Sequence, residues 1–398
     1  MSWVTLPAGC YEVLPEEAFV STCNLEAKIS ASKLVTHRAD DPAFSDIAPL
    51  RILSFDIEAC NPSHFPNPEE DPVITIGVSC KLHNSKKEDH KVVFQLNSCD
   101  DIVDTEVLTY EDERDLLEAF NNFIDSYDPD IITGYNILNF DFAYLFNRIK
   151  TVVGKPIYWG RLREEETKLS KGKFQSKIMG FRETNEVSIE GRIQIDMMMH
   201  MLAEKKLRSY SLNYVSYFFL SEQKEDVAWQ MLSKLMNQNS ASRKKIASYC
   251  LKDALLALRL FEKLKCIYNY VEMARVTGVP MKFLFTRGQQ IKVLSQLFRQ
   301  AREVGMIIPH KRVTAASQEV QYEGGDVLEP QKGFYTIPIA TLDFASLYPS
   351  IMISNNICYT TLIKPEVART MNPSDYGITP ANSYFVKSSL RKGLLCVV

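Results

Sequence analysis

The run Leu50-Arg51-Ile52-Leu53-Ser54-Phe55-Asp56-Ile57-Glu58 constrains this chain more than any other stretch. Its apolar and polar residues alternate, and Asn61-Pro62 closes it, which is the pattern of a β-strand with two unlike faces. Leu53, Phe55 and Ile57 then point into the core of a sheet, while Ser54, Asp56 and Glu58 share the opposite face. Two acids two residues apart on such a strand repel each other unless a cation or protons intervene. Either that face is left in water, or something is built around the charge.

The flanking sequence supplies the rest of a sheet domain. Residues 71–78 and 91–96 read as further strands. Residues 111–127 form an amphipathic helix with Leu116, Leu117, Phe120 and Ile124 on one face, stopped by Pro129. Residues 130–134 read as a short buried strand feeding a loop, and a helix starts near Asp141. Lys168 to Arg182 reads as a loop or hairpin, 192–196 as a strand, and 243–274 and 287–304 as helices. Residues 337–343 read as a last strand. Strands that precede alternating helices imply an α/β fold. The expected organisation is a short β-rich piece over 1–50, a mixed sheet domain over 51–270, a helical linker over 271–335 and a partial second domain over 336–398.

Composition excludes several classes. A hydrophobic fraction of 45% and a charged fraction of 24% are those of an ordinary globular chain, not a disordered one. No run of about 18 apolar residues occurs, so no membrane span and no membrane partner are expected. The start lacks a basic-then-apolar leader pattern, so no secretory signal is expected. The nine cysteines form no CxxC, which suggests neither a zinc nor an iron–sulfur site and fits free thiols in cytosol or nucleus. A net charge of -3 argues against adhesion to nucleic acid by bulk charge, yet suits a local site crowded with metal-binding carboxylates.

Three pieces carry the candidate chemistry. Asp56 and Glu58 are the first. The loop Gly134-Tyr135-Asn136-Ile137-Leu138-Asn139-Phe140-Asp141, ending in an acid at a helix start, is the second. Tyr249 and Asp253, spaced to share one helix face, are the third. Each alone has an ordinary explanation: solvated surface acids, a helix cap, an exposed polar face. Gathered at one sheet edge, the four acids would offer hard oxygen ligands that select Mg²⁺ or Mn²⁺. Two such ions about 3.5–4 Å apart can bind both the attacking water and the leaving oxygen of a phosphodiester. A tyrosine one turn before Asp253 could orient that water.

The set Phe55-Asp56-Ile57-Glu58, Asn136-x-x-x-Phe140-Asp141 and Tyr249-x-x-x-Asp253 resembles the three exonuclease motifs of the family B DNA polymerases, in the same order and with similar separations. Ile47-Ala48-Pro49-Leu50-Arg51, Gln223-Lys224-Glu225-Asp226-Val227, Val271-Glu272-Met273-Ala274-Arg275-Val276-Thr277-Gly278-Val279-Pro280 and Arg287-Gly288-Gln289-Gln290 extend the resemblance over nearly the whole chain. It implies a ribonuclease-H-like 3′-5′ proofreading domain with two Mg²⁺ or Mn²⁺ ions. Asp56 would bridge both metals, Glu58 and Asp141 would complete them, Asp253 would hold the first and Tyr249 would position the water. Asn136 and Phe140 would handle an unpaired 3′ end.

A second site is implied by the same resemblance. Thr341-Leu342-Asp343-Phe344-Ala345-Ser346-Leu347-Tyr348-Pro349-Ser350 resembles motif A of the family B palm, although without context it is an edge strand and a Pro-terminated turn. Asp343 would hold the catalytic metals and Phe344 would offer its carbonyl. Ser346 and Leu347 would present backbone amides to the triphosphate, and Tyr348 would sit under the sugar. Tyr322-Glu323-Gly324-Gly325 resembles the YxGG motif, where Tyr322, Gly324 and Gly325 would approach the template; a plain glycine turn is the other reading. Asp326 departs from the family pattern there. The sequence ends at Cys396-Val397-Val398 before any fingers helix or second palm aspartate, so a truncated fragment is expected, with an intact exonuclease centre and without nucleotidyl transfer. The implied partners are primer-template DNA and single-stranded 3′ ends, with dNTP, accessory subunits and a sliding clamp in the full-length parent, in the nucleus. Two other readings stay open: a free-standing 3′-5′ exonuclease, which motif A argues against, and a non-catalytic DNA-binding fragment.

Overall fold

The alternating run at residues 50–58 is a strand, and it lies inside a six-stranded sheet. The computed structural model describes residues 3–38, 41–86, 89–176, 180–223, 229–309 and 326–396. Two units are present, Met1–Val276 with Pro280–Thr286, and Thr277–Val279 with Arg287–Val398.

The first unit opens with two small antiparallel pairs, β1 (Val4–Thr5) with β4 (Val35–Thr36) and β2 (Tyr11–Val13) with β3 (Ala27–Ile29). Four strands follow: β5 (Arg51–Ala59), β6 (Val73–Leu82), β7 (His90–Leu96) and β8 (Glu106–Tyr110). Then come α1 (Glu113–Tyr127), β9 (Ile131–Gly134), α2 (Asp141–Val152), a hairpin of β10 (Lys168–Ser176) and β11 (Gly180–Ser188), and β12 (Ile193–Asp196). Helices complete the unit: α3 (Met197–Glu204), α4 (Leu212–Leu220), α5 (Trp229–Met236), α6 (Ser240–Lys263), α7 (Cys266–Thr277) and α8 (Met281–Thr286).

The sheet order is β12-β9-β5-β6-β7-β8. β12, β9 and β5 run parallel, β5–β6–β7 form an antiparallel meander, and β8 joins β7 in parallel. Both faces are covered. Leu53, Phe55 and Ile57 pack with Leu116, Leu117, Phe120 and Ile124 of α1 and Phe142 and Leu145 of α2. The four apolar positions that define the α1 stripe are therefore its buried face. Asp112 caps the start of α1 by accepting from Arg114 N, and Asp128, in a left-handed conformation, ends it before Pro129.

The face that carries Ser54, Asp56 and Glu58 is not left in water. Helix α6 lies on it: Ser54 Oγ donates to Ala254 O at 2.7 Å, and Ala247 and Leu251 pack on Val93. The approach is close enough that a Cβ on Gly77 of β6 would stand 2.6 Å from Leu251 N. Only glycine lets the helix backbone settle there.

The sequence pattern left out some elements. β8 and helices α3, α4, α5 and α8 fall in stretches where no element was expected. The opposite error occurs at residues 337–343. They form no strand, and Ile337, Ile339 and Leu342 are exposed. A strand needs a ladder partner, and among the described residues none pairs with this segment. In the second unit the regular elements are α9 (Gln290–Glu303), α10 (Leu347–Ser354), α11 (Pro365–Ala368) and a three-stranded sheet of β13 (Leu362–Ile363), β15 (Tyr384–Val386) and β14 (Tyr376–Ile378).

Candidate active site

The site forms where β5 outlasts its neighbour. β9 pairs only with Ile52–Ser54 of β5 and ends at Gly134. From Phe55 onward, that edge of β5 meets the 134–140 loop and the start of α2. Gly134 makes the turn possible, since a Cβ there would stand 2.6 Å from Phe55 O. Asp141, the first residue of α2, turns back onto the strand, and its Oδ1 accepts from Ile57 N at 3.0 Å. On the other side, Cys250 of α6 donates its thiol to Asp56 O at 3.2 Å and accepts from Gly77 N at 3.2 Å. One peptide group, between Asp56 and Ile57, is thus held by α2 through its N–H and by α6 through its carbonyl.

This arrangement brings together the residues of the three sequence pieces. Asp56 and Glu58 are partly exposed at the end of β5, whereas Asp141 and Asp253 are buried, at 2% and 7% exposure. Tyr249 and Asp253 immediately precede Cys250 and Ala254, two α6 residues that hydrogen-bond to β5. Burial pushes the Asp141 carboxyl up to about 8, the hydrogen bond from Ile57 opposes the shift, and the charges of Asp196 and Asp253 add to it. Near neutral pH a proton therefore stands where the surrounding acids call for positive charge. Burial also pushes the Cys250 thiol well above its ordinary range, reinforced by Asp56, Glu58 and Asp253, so it stays protonated and serves as a hydrogen-bond donor.

Asn136 and Phe140 border the same edge. Asn136 has φ of 63°, and its carbonyl accepts from Phe140 N at 3.1 Å. The Phe140 ring is half-buried, with its centroid 5.8 Å from that of exposed Phe65 and 5.7 Å from that of Tyr144. Three further residues contribute, two of them without a sequence signal of their own. Cys250 carried no signal beyond its place beside Tyr249, and Phe65 none at all. Asp196, which ends β12, caps α3, and its carboxylate also accepts from Asn136 N and Leu138 N.

The donor set suits a hard divalent cation: clustered carboxyl oxygens, with the nearby thiol held protonated. Among the described residues, no three His, Cys, Asp or Glu side chains stand at metal-ligand spacing. The Asp141 carboxyl is turned to Ile57 N, so ion binding through that residue requires its rearrangement.

The motif A residues lie in the second unit. Asp343 and Phe344 sit on the irregular, exposed segment before α10, Ser346 is its N-cap with φ of 49°, and Leu347 is its first residue. Phe344 and Tyr348 are 75% and 79% exposed. Tyr322, Gly324 and Gly325 fall outside the described residues.

Known proteins match the whole chain. Residues 1–215 match a family described as DNA polymerase family B, exonuclease domain, and residues 279–398 match DNA polymerase family B. The DNA polymerase delta catalytic subunit of Glycine max is 48% identical over 398 residues, which is 99% of this chain and 36% of that protein. The subunits of the same name from Candida albicans and Schizosaccharomyces pombe are 44% and 45% identical, over 99% and 100% of this chain and 38% and 37% of theirs. The chain thus spans little more than a third of the length of the curated relatives it matches.

Proposed function

Because the chain belongs to the family B DNA polymerases, we propose that its first unit is a two-metal 3′-5′ exonuclease that proofreads for a replicative polymerase of the delta type. The observation that carries this reading is the convergence of α2 and α6 on the Asp56–Ile57 peptide, which draws Asp141 and Asp253 to the strand that bears Asp56 and Glu58. The sheet supports a ribonuclease-H-like fold: an antiparallel meander β5–β6–β7 is extended by parallel β9 and β12 on the far side of β5.

Asp56, Glu58, Asp141 and Asp253 would hold two Mg²⁺ or Mn²⁺ ions. When bound, these activate a water and neutralise charge on the leaving oxygen. The protein's own residues would do the rest. Tyr249, one turn before Asp253, orients the attacking water. The Asn136 side chain offers an amide to the strand terminus. The Phe140 ring, backed by Phe65 and Tyr144, offers a face on which an unpaired base stacks. Burial of Asp141 and Asp253 keeps water from screening the charges at the scissile phosphate.

The second unit fits the start of a polymerase palm, a reading supported by the family match over 279–398. Asp343 and the Phe344 carbonyl would bind the catalytic metals, Ser346 and Leu347 the triphosphate, and Tyr348 the sugar. Tyr322, Gly324 and Gly325 would contact template. The parent complex would act in the nucleus on primer-template DNA and dNTP in replication and repair, with accessory subunits and a sliding clamp. The test is direct. The purified chain with Mg²⁺ is expected to shorten a mismatched 3′ end, and the double variant Asp56→Ala, Glu58→Ala to be inert. Undiminished degradation by the double variant refutes the assignment.

A further inference from the structure

We infer that Asp196 is a positioning residue for the strand terminus at the exonuclease site, an inference that rests on the reading just given. Asp196 is 4% exposed and lies at the junction of β12 and α3. Its Oδ1 accepts from Met198 N at 2.9 Å and Met199 N at 3.4 Å, the ordinary work of a helix cap. The same carboxylate does a second job. Oδ1 also accepts from Asn136 N at 3.0 Å, and Oδ2 accepts from Leu138 N at 3.1 Å. A cap of α3 needs only the first pair. The second pair ties the helix to the 134–140 loop, some 60 residues earlier in the chain.

That loop needs an external brace. Asn136 is left-handed, a conformation that most side chains disfavour and asparagine adopts more readily, and it holds the loop's turn through Phe140 N and Asn139 N on its carbonyl. Phe140 is the N-cap of α2, and Asp141 follows it onto Ile57. Asp196 therefore acts at one remove on the side chains proposed to meet the strand end. If the Asn136 backbone relaxes, the Asn136 amide and the Phe140 ring leave the place where a terminal nucleotide would lie.

The cap and Asn136 share Oδ1, but only the loop uses Oδ2, through Leu138 N, so the two jobs can be separated in part. Asp196→Ser keeps a capping oxygen for α3 but withdraws the second oxygen from the loop. Asp196→Asn keeps the shape but presents an N–H group to an N–H donor. The assay is degradation of a 5′-labelled single-stranded oligonucleotide by the full chain with Mg²⁺, alongside urea denaturation and amide hydrogen exchange. Both variants are expected to raise KM on the order of tenfold or more, since small misplacements of positioning groups cost that much. Faster exchange at Asn136 and Leu138 than at the sheet amides should accompany the loss, with the Ser variant's unfolding midpoint near wild type. A Ser variant with wild-type KM and wild-type exchange overturns the inference, and so does a drop in stability with KM unchanged, which marks a cap and nothing more. A wild-type chain that leaves the oligonucleotide intact fails the exonuclease reading and this inference together. An active wild type with equally active variants fails this inference alone.

Discussion

Replacing Asp141 by asparagine is expected to stabilise the metal-free protein while removing the proposed nuclease activity. The carboxyl rises from 3.8 to about 8 on folding, chiefly because it is buried. For an acid shifted upward, the folded state holds a proton that the unfolded state gives up. Below the unfolded value both states are protonated and the group is neutral to stability. Between about pH 4 and about pH 8 the cost of folding rises by about 1.4 kcal/mol per pH unit, and above that range it is constant. At pH 7 the penalty is on the order of 4 kcal/mol. Asparagine carries no such penalty and can still accept from Ile57 N through Oδ1. Urea unfolding of wild type and Asp141→Asn, both with a chelator, at pH 5, 7 and 8.5 measures the difference. The variant's advantage should be small at pH 5 and reach several kcal/mol at pH 8.5. Mg²⁺ should then narrow the gap by binding the wild type. A variant less stable than wild type, by an amount independent of pH, would show that Asp141 is an ordinary ionised cap and that the acids at this edge do not strain one another.

Other perturbations probe the scaffold. Gly77→Ala places a Cβ against Leu251 N at 2.6 Å, so α6 must lift from β6. A loss of roughly 1–3 kcal/mol is expected, with exonuclease activity falling further than stability because Asp253 rides on the same helix; denaturation and turnover measured together check this. Arg148 donates to both Glu113 oxygens, at 2.8 and 2.6 Å, with both side chains 10% exposed. Arg148→Ala removes the cation from Glu113 and should cost about 3–5 kcal/mol, whereas the double replacement Arg148→Met, Glu113→Leu should recover only part of it, because Glu113 Oε1 also accepts from buried Val73 N at 2.8 Å.

Much of the first unit was legible because its signals are local. Alternation at residues 50–58 and the Leu116, Leu117, Phe120, Ile124 stripe are properties of a few consecutive residues, and each became the element its period implies. Residues 337–343 carried an equally apolar pattern and stayed irregular, because a strand's stability resides in its neighbours. The motif residues could be named in advance, but not their surroundings. Nothing near Asp196 in sequence announces that it holds Asn136, and nothing near Cys250 announces that it grips the carbonyl of Asp56.

The sequence by itself determined which side chains share a face and which chemistry their oxygens offer, since both follow from spacing and residue type over a turn or a strand. Tertiary structure alone decided that the helices bearing Asp141 and Asp253 come to the strand bearing Asp56 and Glu58, and that the Asp141 carboxyl is pushed upward by burial. Asp141 reaches Ile57 across 84 residues and Cys250 reaches Asp56 across 194. The charge each acid can bear depends on how much water those contacts expel and on which other acids they bring near.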